Sequence, residues 1–206
     1  IEDIDRTGVN PRFMAMYAVD DEKAGWKKGQ WHTAVPPQAR PDTGLTPVDY
    51  FGRKMVDNLP DSIKVGTITV AVGGASIDLF DKRTCKAYLK KQPDWMKNFA
   101  SQYNGNPYAR LIELAKIAQK QGVIKGILLH QGETNNGDVN WPNRVKTVYN
   151  DILKELHLKA EDVPLLVGET VQKDQGGICW KHIAIVDDIA KTIPTAHVIS
   201  SKGCPQ

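Results

Sequence analysis

Cysteine is scarce: Cys85, Cys179 and Cys204 are the only three in 206 residues. They form no CxxC pair, and no His or Cys falls at the spacing of a metal site. A disulfide scaffold is excluded, because a chain of this size buries an adequate core without one. Unpaired thiols or one incidental bridge are expected. No apolar run approaches the roughly 20 residues that span a bilayer, so no membrane partner is expected. Blocks of like charge are also missing, and 27 basic residues exceed 24 acidic ones only enough for a net charge of +3. That balance leaves no electrostatic footprint for nucleic acid. Repeats, low-complexity tracts, a GxGxxG run and a Walker loop are all absent, which removes the main support for nucleotide binding. A starting Met is lacking too. The chain opens Ile1-Glu2-Asp3 without a signal-like segment, as expected of a polypeptide processed or cut from a longer one.

What is present is an alternation of short apolar runs with helical periodicity over a length suited to one domain, residues 1–206. The runs are Arg12–Val19, Val65–Val72, Val123–His130, Pro164–Gly168 and Ala196–Ser200. Several are continuous, as strands covered on both faces should be. Helices are predicted between them. Thr46 and Pro47 open one that reaches Asn58, another runs from Pro107 to Gly122, and a stripe from Val145 to Leu156 marks a third. Val186, Ile189 and Ile193 mark a fourth, stopped by Pro194. The pattern predicts an α/β fold with a mostly parallel sheet. Two stretches resist assignment. Asp20–Gly44 reads as a long loop rich in Pro, Gly and Trp. Asp81–Asn104 carries Tyr88, Trp95, Phe99 and Tyr103, for which core packing is favoured over sugar stacking.

In open parallel sheets ligands bind beyond the carboxyl ends of the strands, so the residues after each run are the informative ones. After Val72 comes Gly73-Gly74-Ala75-Ser76-Ile77-Asp78. Two glycines there let backbone N–H groups approach an oxyanion closely. After Leu129 comes the densest polar cluster in the chain, His130-Gln131-Gly132-Glu133-Thr134-Asn135-Asn136-Gly137-Asp138. Turn chemistry accounts for Asn135 to Asp138, but His130 to Glu133 point to function. An internal triad of Ser76, His130 and Glu133 or Asp138 is conceivable, but Ser76 lacks the GxSxG elbow. A metal-dependent hydrolase centred on His130 and Glu133 is a rival, though no second His sits at ligand spacing. Among the other histidines, His157 and His182 are placed in helices and His197 in a strand, while His32 beside Trp31 in the long loop is the one to watch.

The HQGE run after a hydrophobic strand, preceded by a Gly-Gly-x-Ser-Ile segment, resembles the acetylesterases of the SGNH hydrolase superfamily. The nearest group is carbohydrate esterase family six with the sialate O-acetylesterase-like proteins. Asp5–Arg12, Trp31–Pro36, Gly44–Pro47, Val167–Glu169 and Ala196–Ser201 extend the likeness over nearly the whole chain. The resemblance implies a three-layer α/β/α flavodoxin-like fold and an acetylated carbohydrate substrate, xylan first and sialic acid second. It implies no cofactor and no metal, and a secreted or periplasmic location. The family's serine lies in a GQSN block and its histidine in a DxxH block. Neither block occurs here, so the chain is expected to be the central part of an esterase domain, truncated at both ends. Carried over to this sequence, the Gly73-Gly74 turn would donate a backbone N–H to the oxyanion and Gln131 a side-chain N–H, with the backbone of the missing serine as the third donor. Glu133 would brace that loop or orient the catalytic histidine, and His130 would hold the loop. Trp31, His32, Ser76 and Asn135 are placed at the substrate side, with Ser76 as a hydroxyl tying down the glycine turn. The remaining alternative is a carbohydrate-binding protein on the same fold without catalysis.

Overall fold

The computed structural model describes residues 1–204. Helix α1 (Asp3–Arg6) precedes β1 (Phe13–Met16), β2 (Trp31–Thr33), α2 (Pro47–Asp57) and β3 (Val65–Ile68). Helices α3 (Cys85–Lys90), α4 (Asp94–Ser101) and α5 (Pro107–Ala118) lead to β4 (Ile127–Leu129). Then come α6 (Trp141–Glu155), β5 (Leu165–Gly168), α7 (Ile183–Asp187), α8 (Ile189–Thr192) and β6 (Ala196–Ile199).

Local chemistry explains the clearest of these elements. Pro47 and Pro107 stand at the first turn of α2 and α5, where a missing N–H loses nothing. Thr46 donates its N–H and its hydroxyl to Asp49 Oδ2, at 2.8 and 2.9 Å, and Asn106 Oδ1 accepts the Ala109 N–H at 3.0 Å. The stripe in α6 buries Val145, Val148, Tyr149, Ile152 and Leu153 against the inner faces of β4, β5 and β6.

The strands form two three-stranded sheets rather than the single sheet expected. In one, β1 pairs parallel with β3 and antiparallel with β2. In the other, β4, β5 and β6 are all parallel. Among the described residues no strand lies between β3 and β4, so each keeps an unpaired edge and the ladder cannot continue. The α/β class stands. Coverage on both faces does not hold for β4–β6, since one face is buried while Leu128 and Ile199 on the other are 41% and 53% exposed.

Three further expectations are corrected. β2 emerges from the stretch read as a loop; three residues are too few to show periodicity. The helix expected through Val186 and Ile193 is two short ones meeting at Asp188. His182 precedes it in a 3-10 turn, and His157 lies just past α6 with φ of 55°. The aromatic stretch holds two helices, α3 and α4. The three cysteines are unpaired. Among the described residues no helix is long and apolar enough to cross a membrane.

Candidate active site

Strand β3 runs out into the Gly73-Gly74 turn, which is held from three sides. Gly74 O accepts from Thr134 Oγ1 at 2.8 Å, and Ala75 O accepts from Gln131 Nε2 at 3.2 Å. The Ser76 N–H donates to Tyr88 Oη at 3.0 Å, and the Ile77 N–H to Asn135 Oδ1 at 3.0 Å. Gly74 takes a φ of 70°, in the left-handed region open to glycine. No hydrogen bond among the described residues engages the N–H of Gly73 or Gly74, and both residues are exposed. Two backbone donors at the carboxyl end of a parallel strand are therefore unengaged among the described residues.

The loop after β4 is built the other way, from side chains. Gln131 donates Nε2 to Ala75 O and to Asn135 Oδ1, at 3.2 and 2.8 Å, and accepts from Trp141 Nε1 at 2.6 Å. Its amide is fully engaged as a strut between the two turns. Asn135 is buried, with Oδ1 shared by Ile77 and Gln131, so it joins the two loops. Arg144 of α6 clamps Asp138 at 2.8 Å and also pairs with Asp78. Burial alone would raise the Asp78 pKa, but hydrogen bonds from Arg144 and Ser76 outweigh it and hold the carboxyl below its usual range.

His130 and Glu133 stay half-exposed with Nε2 and Oε1 3.7 Å apart, a loose pair beyond hydrogen-bond reach. His130 lies over Gly168 of β5, where an added Cβ would come 3.0 Å from Nδ1. Ser76 is buried, and its hydroxyl donates to Asp78 Oδ2 at 2.9 Å and accepts the Asp78 N–H at 3.2 Å. That leaves it capping a 3-10 turn, away from the base an internal triad would need. Because Asp138 is held by Arg144, it does not join His130 and Glu133. Among the described residues no three His, Cys, Asp or Glu side chains gather as a ligand set.

Trp31 and His32 part company, as neighbours on a strand must. Trp31 lies across β3, so close that a Cβ on Gly66 would come 2.7 Å from its ring, and it packs inward. His32 stacks on Tyr17 at 3.8 Å, Tyr17 stacks on Trp26 at 4.5 Å, and the three line an open pocket of about 470 Å³ with Pro36, Pro37 and Arg6. Burial holds the His32 pKa down, against a smaller opposite effect of its bond to Thr33 O. Two strands separate this pocket from the unpaired edge of β3.

Sequence reasoning passed over His182. Its ring is fully buried, meets Trp141 edge to face at 4.9 Å, and has no hydrogen-bond partner for either nitrogen among the described residues. It fills the space beside Gly132, where a Cβ would come 2.5 Å from Cδ2. Burial lowers its pKa, countered in part by the charges of Glu133 and Asp138. Through Trp141 it backs the Gln131 amide. Only the Gly in HQGE hinted at such close packing.

A glycine turn beside a braced polar loop, both at the carboxyl ends of parallel strands of an α/β fold, occupies the place where open sheets bind ligands. The chain belongs to a family of carbohydrate esterases described as sialic acid-specific acetylesterases, whose profile matches residues 16–206. Among solved structures, a protein from Arabidopsis thaliana resembles it with a TM-score of 0.66 at 17% sequence identity. The likeness covers 96% of this chain and 71% of the other, and it is a likeness of fold.

Proposed function

We propose that this chain supplies the oxyanion side of an SGNH-type serine acetylesterase that removes acetyl groups from O-acetylated carbohydrates. The observation that carries the reading is the pair of unengaged N–H groups at Gly73 and Gly74, set beside Gln131 in a chain of this esterase family. In this reading the two small sheets are halves of one mostly parallel sheet in a three-layer α/β/α flavodoxin-like domain. The serine and the histidine base belong to GQSN and DxxH blocks outside the 206 residues. The strand leading to the serine would run between the unpaired edges of β3 and β4.

The chemistry follows from that placement. The serine oxygen attacks the acetyl carbonyl carbon while the histidine takes its proton. Negative charge gathers on the carbonyl oxygen, where the Gly73 and Gly74 N–H groups meet it. Gln131 joins them by giving up the longer of its two donations, the 3.2 Å bond to Ala75 O. The C–O bond to the sugar then breaks, the sugar oxygen takes the proton from histidine, and water releases acetate from the acyl-enzyme. Glu133, half-exposed in the loop, would orient the histidine base or buttress the loop, and His130 packs over Gly168. The family's description names sialic acid and supports O-acetylated sialic acid as the first substrate to test, with acetylated xylan second.

The full-length protein should release acetate from O-acetylated sialic acid. Gln131→Ala should lower kcat by about 10²–10³-fold with little change in KM, the usual effect of losing one oxyanion donor. An unchanged kcat removes Gln131 from that role. Sugar binding without hydrolysis by the wild type would overturn the esterase reading in favour of a carbohydrate-binding protein.

A further inference from the structure

Of the four aromatics between Asp81 and Asn104, three pack as expected: Tyr103 is buried, and Tyr88 and Phe99 are partly covered. Trp95, on the first turn of α4, is 49% exposed. Isolated exposed apolar side chains are common on proteins and by themselves mean little. The position of this one is what matters. A Cβ built on Gly74 would lie 3.3 Å from Trp95 Cη2, so the indole reaches the glycine turn whose N–H groups are free.

The ring is also held in place. Phe99 meets it edge to face at 6.0 Å, and the Arg40 guanidinium lies 4.6 Å over Phe99 from its centroid. Met96, the next residue, is buried, and Tyr88 Oη contacts its sulfur at 3.7 Å while accepting the Ser76 N–H. Helices α3 and α4 and the glycine turn thus form one unit that presents the indole beside the turn. The neighbouring charges, Asp94 and Lys97, pair with each other at 3.3 Å and leave the ring an apolar surface.

We propose that Trp95 is a stacking platform for the pyranose ring that bears the acetyl group, which makes it a specificity-determining residue for a carbohydrate ester. The assignment rests on the esterase reading above. Where the acetyl group sits on a ring hydroxyl, as in acetylated xylan, only the ester oxygen separates the carbonyl carbon from a ring carbon. A carbonyl held at Gly73 and Gly74 therefore brings the sugar to whatever stands beside Gly74. The indole face carries partial negative charge, which suits the positive C–H face of a pyranose and asks for no charge on the ligand.

The test compares two esters in the full-length protein, an O-acetylated methyl glycoside and ethyl acetate, which has no ring to stack. Trp95→Ala should lower kcat/KM for the glycoside about five- to tenfold, chiefly through KM, and leave ethyl acetate within about twofold. Trp95→Phe should recover part of the loss, and Trp95→Leu, apolar but without a ring, should not. Unfolding midpoints of the variants control for folding. Equal losses on both esters, or an unchanged glycoside, would overturn the platform. If the wild type hydrolyses neither ester, the esterase reading fails on its own. Calorimetric binding of the methyl glycoside then decides: binding weakened by Trp95→Ala supports the platform, and binding absent or unaltered overturns it.

Discussion

The turn after β3 presents Gly73 and Gly74 with no side chain at all, whereas the loop after β4 packs His130, Gln131, Glu133, Asn135 and Asp138 into nine residues. The two lie against each other, joined by Gln131, Thr134, Asn135 and Arg144. A backbone donor can face a ligand only where no side chain intervenes, and it can hold one geometry only if something else fixes the turn. The bare turn offers the donors, and the polar loop keeps them in place. Its side chains are therefore largely occupied by the protein itself, which a list of polar residues does not reveal.

The contrast breaks most severely at Gly132. Its φ of 155° and the 2.5 Å approach to His182 leave no room for a methyl group. Gly132→Ala should destabilise by about 3 kcal/mol in urea unfolding, and His182→Ala in the same chain should recover part of that in a double-mutant cycle. Next comes Asn135→Ala, which strands the Ile77 N–H and one Gln131 donor in a buried place. A loss of about 2 kcal/mol is expected, together with faster hydrogen exchange at the Ile77 amide; unchanged exchange would show that Asn135 is not the hub.

A smaller effect concerns pH. The folded pKa of His182 is lowered, chiefly by burial, so below about pH 6.5, the unfolded value, the unfolded chain takes up a proton that the folded one refuses. This contribution makes stability fall as pH drops through that range towards the lower folded value. His182→Phe should flatten the slope of unfolding midpoint against pH, and an unaltered slope would assign the dependence to other groups. The smallest effect is expected at Ser76. Among the described residues its hydroxyl hydrogen-bonds only with Asp78, so Ser76→Ala should cost about 1 kcal/mol or less and leave kcat intact. A collapse of kcat would restore Ser76 as an internal nucleophile.

Much of this was readable wherever the signal is local. Thr46-Pro47, Asn106-Pro107 and the stripe of α6 each announce a helix through capping and periodicity within one segment. Five of the strands fall inside the five apolar runs, shortened to the part that finds a partner. β2 escaped because Trp31–Thr33 become a strand only by pairing with Met14–Met16. The partners of Asn135 and Trp31 were hidden for the same reason. Residue type suggests what a side chain can bond or stack against, and the neighbours that occupy it come from distant parts of the chain.

The amino-acid order by itself determined the α/β class and singled out the glycine turn after Val72 and the polar loop after Leu129. Those depend on periodicity, composition and the conformational freedom of glycine, all of which act within a few residues. Tertiary structure alone decided that Gln131 and Asn135 brace while Gly73 and Gly74 keep unengaged N–H groups among the described residues, and that Trp95 stands beside Gly74. These are outcomes of packing between segments up to about sixty residues apart, such as Asn135 and Ile77. A side chain buried among partners is held by them, and one left at the rim is free to meet a substrate.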